Sequence, residues 1–153
     1  MTGYISDMRR KIGRDRLMIA GASVFIYRDG KVLLQKRKDN RCWAKHGGAV
    51  EIGEAVEDAA RRELREETGL IAGKLELLGV FSGKDMLYTY PNGDEVYIVD
   101  VVYICEDFTG ELLTETDETS ELRWFGIDGI PENISPPDKR AVEKFVENIK
   151  KRV

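Results

Sequence analysis

Residues 55–69, AVEDAARRELREETG, read as a helix whose glutamates stand on the wrong side for a surface element. At about 100° per residue Val56, Ala60 and Leu64 share one stripe, and such a stripe packs on a sheet. Glu67 falls inside that stripe and Glu63 lies beside Val56, so two carboxylates point towards the core, while Asp58, Arg61 and Arg65 take the far side. Desolvating a carboxylate without a partner is costly. Glu63, Glu66 and Glu67 stand at i, i+3 and i+4, so they converge on one patch and repel one another, and Arg62 alone cannot neutralise three charges. A hard divalent cation with oxygen ligands resolves the conflict. Mg²⁺ suits it, because it uses few carboxylates and leaves positions open for water and phosphate. The competing reading is a solvated face salt-bridged to Arg61, Arg62 and Arg65, which base rates favour for a random Glu-rich helix.

Around this helix the pattern alternates strands and turns. Residues 18–27 are apolar and β-branched, Asp29-Gly30 marks a tight turn, and residues 31–37 return as the second arm of a hairpin. Residues 38–46 are polar and irregular. Residues 74–82 and 86–90 read as strands, residues 95–105 as a long central strand, residues 114–120 as an acidic loop and residues 122–127 as a further strand. A closing helix spans 137–151, through Ala141, Val142, Phe145, Val146 and Ile149. The expected class is α/β, a sandwich with a mixed central sheet between helices. One domain over residues 1–153 is expected, with 1–17 as a polar and basic N-terminal extension.

Charge and composition narrow the partners. A net charge of −4 argues against broad capture of DNA or RNA, whereas a small anion can still be handled locally by a metal and a few basic side chains. Cys42 and Cys105 form no zinc-type pair, and no apolar run approaches the roughly 18 residues of a membrane span, so a cytoplasmic protein with reduced thiols is expected.

The segment GAVEIGEAVEDAARRELREETGL, starting at Gly48, resembles the Nudix box, G-x5-E-x7-R-E-U-x-E-E-x-G-U with U aliphatic. Every specified position matches: Gly48, Glu54, Arg62, Glu63, Leu64, Glu66, Glu67, Gly69 and Leu70. Chance agreement is on the order of 10⁻⁸ per starting position. The likeness extends over about residues 18 to 130, through the first hairpin, Trp43 and the ELRWF strand at 121–125. One departure stands out: many members have Leu-Pro before the paired glycines, and this chain has Lys45-His46.

The resemblance implies a Nudix-like α/β/α sandwich in which the box forms a loop-helix-loop. It also implies Mg²⁺-dependent hydrolysis, with Mn²⁺ able to substitute, of a nucleoside diphosphate linked to another moiety: a nucleoside triphosphate, a nucleotide sugar, ADP-ribose or a dinucleoside polyphosphate. Glu63, Glu66 and Glu67 would be metal ligands, with Gly47 offering its carbonyl. Glu63 or Glu66 would help deprotonate the attacking water, Arg62 would orient the carboxylates, and Glu54 would support the loop. Gly48 would allow close backbone approach.

Beyond the box, Glu118 is the favoured acidic recruit from the 114–120 loop, ahead of Glu115 and Asp117. Tyr88 resembles a substrate-selecting tyrosine, and His46 adjoins the glycines. Asp100 interrupts a central strand and is either paired in the core or turned to a cleft. The ADP-ribose subgroup's proline is not at its expected distance, the first proline after the box being Pro91. Lys36, Arg37 and Lys38 read as solubilising. The rival classes are a catalytically silent nucleotide-binding regulatory module and an RNA 5′-end pyrophosphohydrolase. A homodimer is compatible with the resemblance, the apolar stretch 12–19 being available to it.

Overall fold

Asp29 and Gly30 take φ values of 53° and 78°, and this left-handed pair closes the expected hairpin between β1 (Leu17–Arg28) and β2 (Lys31–Arg37), with Ile26 opposite Leu33. The computed structural model describes residues 3–152. Before the hairpin lies helix α1 (Tyr4–Ile12), and after it come two short strands, β3 (Trp43–Ala44) and β4 (His46–Ala49). Then follow helix α2 (Val56–Thr68), β5 (Ile71–Ala72), β6 (Glu76–Phe81), β7 (Leu87–Thr89) and β8 (Glu95–Cys105). The chain ends through β9 (Phe108–Thr109), β10 (Thr119–Gly126) and helix α3 (Lys139–Lys151).

The main sheet runs β10-β2-β1-β8-β6, with β3, β4 and β7 paired onto β2, β1 and β8. It is mixed, because β1 and β8 are parallel and their neighbours antiparallel. Period-two alternation sends Ala22, Val24 and Ile26 to the face covered by α2, where they meet Ala59, Ala60 and Leu64. Phe25, Val102 and Ile104 go to the opposite face and pack on α3, with Phe25 and Phe145 stacked at 4.5 Å. Helices on the two faces of a mixed sheet are the expected class. Helix α2 stops where expected, at Gly69 in the left-handed region (φ 82°), and a Cβ there would lie 2.5 Å from the Glu111 carbonyl oxygen.

Three local expectations need correction. Residues 4–12 are not merely a polar extension: Ile5 is buried with Leu17, Ile19, Tyr88 and Val96, and Tyr4, Met8 and Ile12 flank it, so α1 buries an apolar face. The end of the 38–46 stretch is not irregular, because residues 43–44 pair with β2 and residues 46–49 pair antiparallel with residues 21–24 of β1. The acidic loop is shorter than expected, since Thr119 already belongs to β10. Among the described residues no helix is long and apolar enough to cross a membrane.

Candidate active site

Between β1, β4, the C-terminal half of α2, β7 and the turn before α3 lies a cavity of about 990 Å³. All three box glutamates border it. Glu67 is the most deeply set, at 4% exposure: one carboxylate oxygen accepts the Gly47 N–H at 2.8 Å and the other accepts Gln35 Nε2 at 2.8 Å. Gln35 is itself fixed by Thr119, whose hydroxyl donates to the Gln35 carbonyl oxygen. Burial pushes the Glu67 carboxyl up to about 8 against the opposing pull of the Gln35 and Gly47 hydrogen bonds. Glu63 is half-buried, and desolvation raises it too, with the fields of Glu66 and Glu118 adding to the effect. Glu66 is exposed.

Arg62 organises this face. It forms a two-pronged contact with Glu54 at 2.8 and 3.0 Å, donates to Glu63 at 2.8 Å, and donates to the Ala49 carbonyl at 3.1 Å. Glu54 also accepts the Glu51 N–H, closing the loop before α2. Glu51 in turn accepts the Tyr4 N–H, so α1 is tied to the same loop.

As placed, Glu67 is turned to Gly47 and Gln35 and Glu63 to Arg62, and among the described residues no three Asp, Glu, His or Cys side chains form a ready metal cage. The donor set nonetheless fits a hard cation. Carboxylate oxygens share adjacent helical turns, and the buried one is short of positive charge. Gly48 keeps the space beside Glu63 clear, since a Cβ there would lie 2.5 Å from the Glu63 carboxyl carbon.

The residues proposed from outside the box divide. Glu118 and Tyr88 both border the cavity. Tyr88 donates to Asp39, which also receives Arg37 at 2.8 and 2.7 Å, and Tyr90 meets the Tyr88 ring edge-on at 5.1 Å. Arg37 and Lys38 border the cavity rather than merely solubilising the hairpin, and Lys38 pairs with Glu115 at 3.3 Å. Asp100 satisfies both alternatives at once, being ion-paired to Lys45 at 2.9 Å and bordering the cavity. Sequence reasoning missed Gln35, Thr119 and Asp39, because nothing local distinguishes them from other polar strand and loop residues, and it marked Lys45 as a departure from the usual Leu-Pro without giving it a partner.

His46 is not brought to the cavity. It is fully buried, and its Nε2 lies 2.9 Å from the Leu33 carbonyl oxygen, which can only accept, so Nε2 carries the proton. Burial lowers its pKa to about 4, the Leu33 bond opposing, while the ordinary value is 6.5. A group depressed in the folded state contributes stability that is whole above 6.5 and is lost as pH falls towards 4, here roughly 3 kcal/mol. Between pH 7 and pH 4.5 the melting temperature of the wild type is therefore expected to fall further than that of His46→Gln. Equal falls would show that His46 is not held neutral.

Residues 18–145 match the NUDIX domain model. An ADP-ribose pyrophosphatase of Methanocaldococcus jannaschii is 41% identical over 109 residues, covering 69% of this chain and 60% of that protein, so this chain spans less than two thirds of that relative. A nucleoside triphosphatase NudI of Escherichia fergusonii is 38% identical over 108 residues, covering 65% of this chain and 75% of that one. Among solved structures, a MutT NUDIX hydrolase from Burkholderia pseudomallei superposes with a TM-score of 0.72 at 34% identity, over 83% of this chain and 97% of that one. A UDP-X diphosphatase shares the fold, with a TM-score of 0.73 at 23% identity over 97% of this chain and 71% of that one.

Proposed function

The chain belongs to the Nudix family, and on that premise we propose that it hydrolyses the diphosphate linkage of a nucleoside diphosphate joined to another moiety, with Mg²⁺ as its metal and Mn²⁺ as a working substitute. The observation that carries the proposal is the carboxylate face of α2. Glu67 is buried and short of positive charge, Glu63 is desolvated beside Gly48, and Glu66 is open to the same cavity.

In this reading Glu63, Glu66 and Glu67 hold the cation. A divalent ion held there would supply charge neutralisation on the phosphoryl oxygens and a more acidic water near neutral pH. Glu67 is kept in place by Gly47 and Gln35. Glu63 is aimed by Arg62, whose own direction is set by Glu54. Glu66, with no strong partner, is free to take the proton of the attacking water. Arg37 and Lys38 supply positive charge for the departing phosphate at the rim, and Tyr88 and Tyr90 offer an aromatic wall for a flat base. The names of two relatives, an ADP-ribose pyrophosphatase and a nucleoside triphosphatase, support a nucleotide substrate.

The test is hydrolysis at millimolar Mg²⁺, read as phosphate or pyrophosphate release from nucleoside triphosphates and, by chromatography, as the two phosphorylated products formed from nucleotide sugars, ADP-ribose and dinucleoside polyphosphates. Turnover of one class is expected, lost on adding EDTA and restored by excess Mg²⁺ or Mn²⁺. Nucleotide binding without turnover of any of them would favour a regulatory module instead.

A further inference from the structure

Glu51 stands at one of the unspecified positions between Gly48 and Glu54, so the box pattern makes no demand on it. Its side chain leaves its own loop: Oε1 accepts the N–H of Tyr4, the first residue of α1, at 2.9 Å. The helix has no such acceptor at its own N-cap, which is Gly3. Gly3 takes φ 101° and ψ −162°, a region essentially confined to glycine, and a Cβ there would lie 2.3 Å from Glu51 Oε1. The carboxylate is therefore seated on the chain entering α1, where its charge meets the positive end of the helix.

The other end of α1 is held as well. Arg9 donates to the Gly13 and Asp15 carbonyls at 3.2 and 2.6 Å and to the Glu95 carbonyl at 2.9 Å, and it pairs with Asp94 at 3.7 Å. Asp94 and Glu95 lie where the chain turns from β7 into β8, so α1 bridges the box loop and the strand pair that carries Tyr88. A nine-residue helix has little stability of its own. Its buried face is small, with Ile5 packed among Leu17, Ile19, Tyr88 and Val96. Gly3, Ile5, Glu51 and Tyr88 all border the cavity, so the docked position of α1 shapes one cavity wall. The box loop is held separately. The residue 51 N–H and carbonyl bond to Glu54 whatever side chain stands there, and Glu54 holds Arg62. Loss of the Glu51 carboxylate thus acts on α1 and leaves the aim of Glu63 unaltered.

We propose that Glu51 is a positioning residue for substrate binding: its carboxylate caps α1 from the box loop and keeps that helix docked as the wall beside Tyr88. The role in binding rests on the hydrolytic reading of the cavity, whereas the docking of α1 does not. Three variants separate the two. Glu51→Ala removes the acceptor, Gly3→Ala displaces the same carboxylate from the helix side, and Glu51→Gln keeps an oxygen for the Tyr4 N–H. Hydrogen exchange of the ligand-free proteins reads the docking, and steady-state kinetics on the substrate of the hydrolysis panel read the binding.

In Glu51→Ala and Gly3→Ala the protection of the α1 amides should fall about tenfold or more while that of β1 and β8 is unchanged. KM should rise about threefold or more, because only the docked fraction binds well, with kcat within about twofold of wild type. Glu51→Gln should stay near wild type in both readouts. Unchanged α1 protection in the first two variants would overturn the proposal, as would an opened α1 with unaltered KM. A fall in kcat at constant KM would also overturn it, by showing that Glu51 acts through Arg62 on Glu63. Opened α1 in both variants, in a protein that turns over none of the panel, would uphold the docking role while refuting the hydrolytic reading.

Discussion

Glu66→Gln is expected to lower turnover about a hundred- to a thousandfold while shifting the melting temperature by no more than about 2 °C. The two halves of this expectation have separate causes. Glu66 is the exposed member of the trio, its side chain 58% accessible, and among the described residues its ion pair is a 3.6 Å contact with Arg62, which has closer partners in Glu54 and Glu63. An exposed pair of that kind contributes little to folding. Its carboxylate charge, by contrast, is one third of the negative face on which the proposed cation depends, and glutamine keeps the shape while removing the charge. Glu67→Gln would not make this separation, because Glu67 is buried between Gly47 and Gln35, and changes there affect folding and chemistry together. Steady-state rates and a thermal melt on the same preparations decide it. Undiminished turnover in Glu66→Gln would remove Glu66 from the site and leave Glu63 as the candidate base.

Lys45→Met should be the most destabilising single substitution considered, costing about 3–5 kcal/mol and lowering the melting temperature by roughly 10 °C. Methionine fills much of the lysine stem's volume, so the loss is of charge rather than packing. It leaves Asp100 and Asp138 facing one another, both nearly buried, with the Ser23 hydroxyl and the residue 45 N–H as their named donors. The asymmetry is the informative part. Removing a carboxylate, as in D138N, balances the cluster, whereas removing the ammonium doubles its surplus negative charge. Burial alone would lower the Lys45 pKa, but the two aspartates hold it above the ordinary lysine range, which keeps it charged at any pH of interest. Circular-dichroism melts of Lys45→Met and D138N should therefore diverge, with D138N close to wild type. Similar melts for both variants would mean that the balance of charge in this cluster does not govern its stability.

Helix α2 was legible because its signal is local. A period of 3.6 residues places Ala60, Leu64 and Glu67 on one face whatever the helix packs against, and all three are buried. The turn at Asp29-Gly30 was legible for a similar reason, since a two-residue hairpin needs positive φ at both positions. Helix α1 was less so. Its apolar residues Tyr4, Ile5, Met8 and Ile12 have helical spacing, but they are diluted by Arg9, Arg10 and Lys11, and their burial depends on Leu17, Ile19, Tyr88 and Val96. Strand β4 carries no strand signal of its own, being His-Gly-Gly-Ala, and is extended because β1 offers it a partner.

The sequence by itself determined the family, the helix that carries Glu63, Glu66 and Glu67, and the conflict between their charge and their orientation. Only the tertiary structure decided what surrounds them. Lys45 and Asp138 are 93 residues apart in the chain, Ser23 and Asp100 are 77, and Gln35 and Thr119 are 84. Adjacent residues also part company: His46 turns into the core and Lys45 towards the cavity, a choice set by how residues 43–49 pair with β1 and β2. The physical reason is that periodicity within a segment fixes which side chains share a face, whereas strand order and register fix which faces meet. A slip of one residue in register would exchange the two sides of a strand without altering its local pattern.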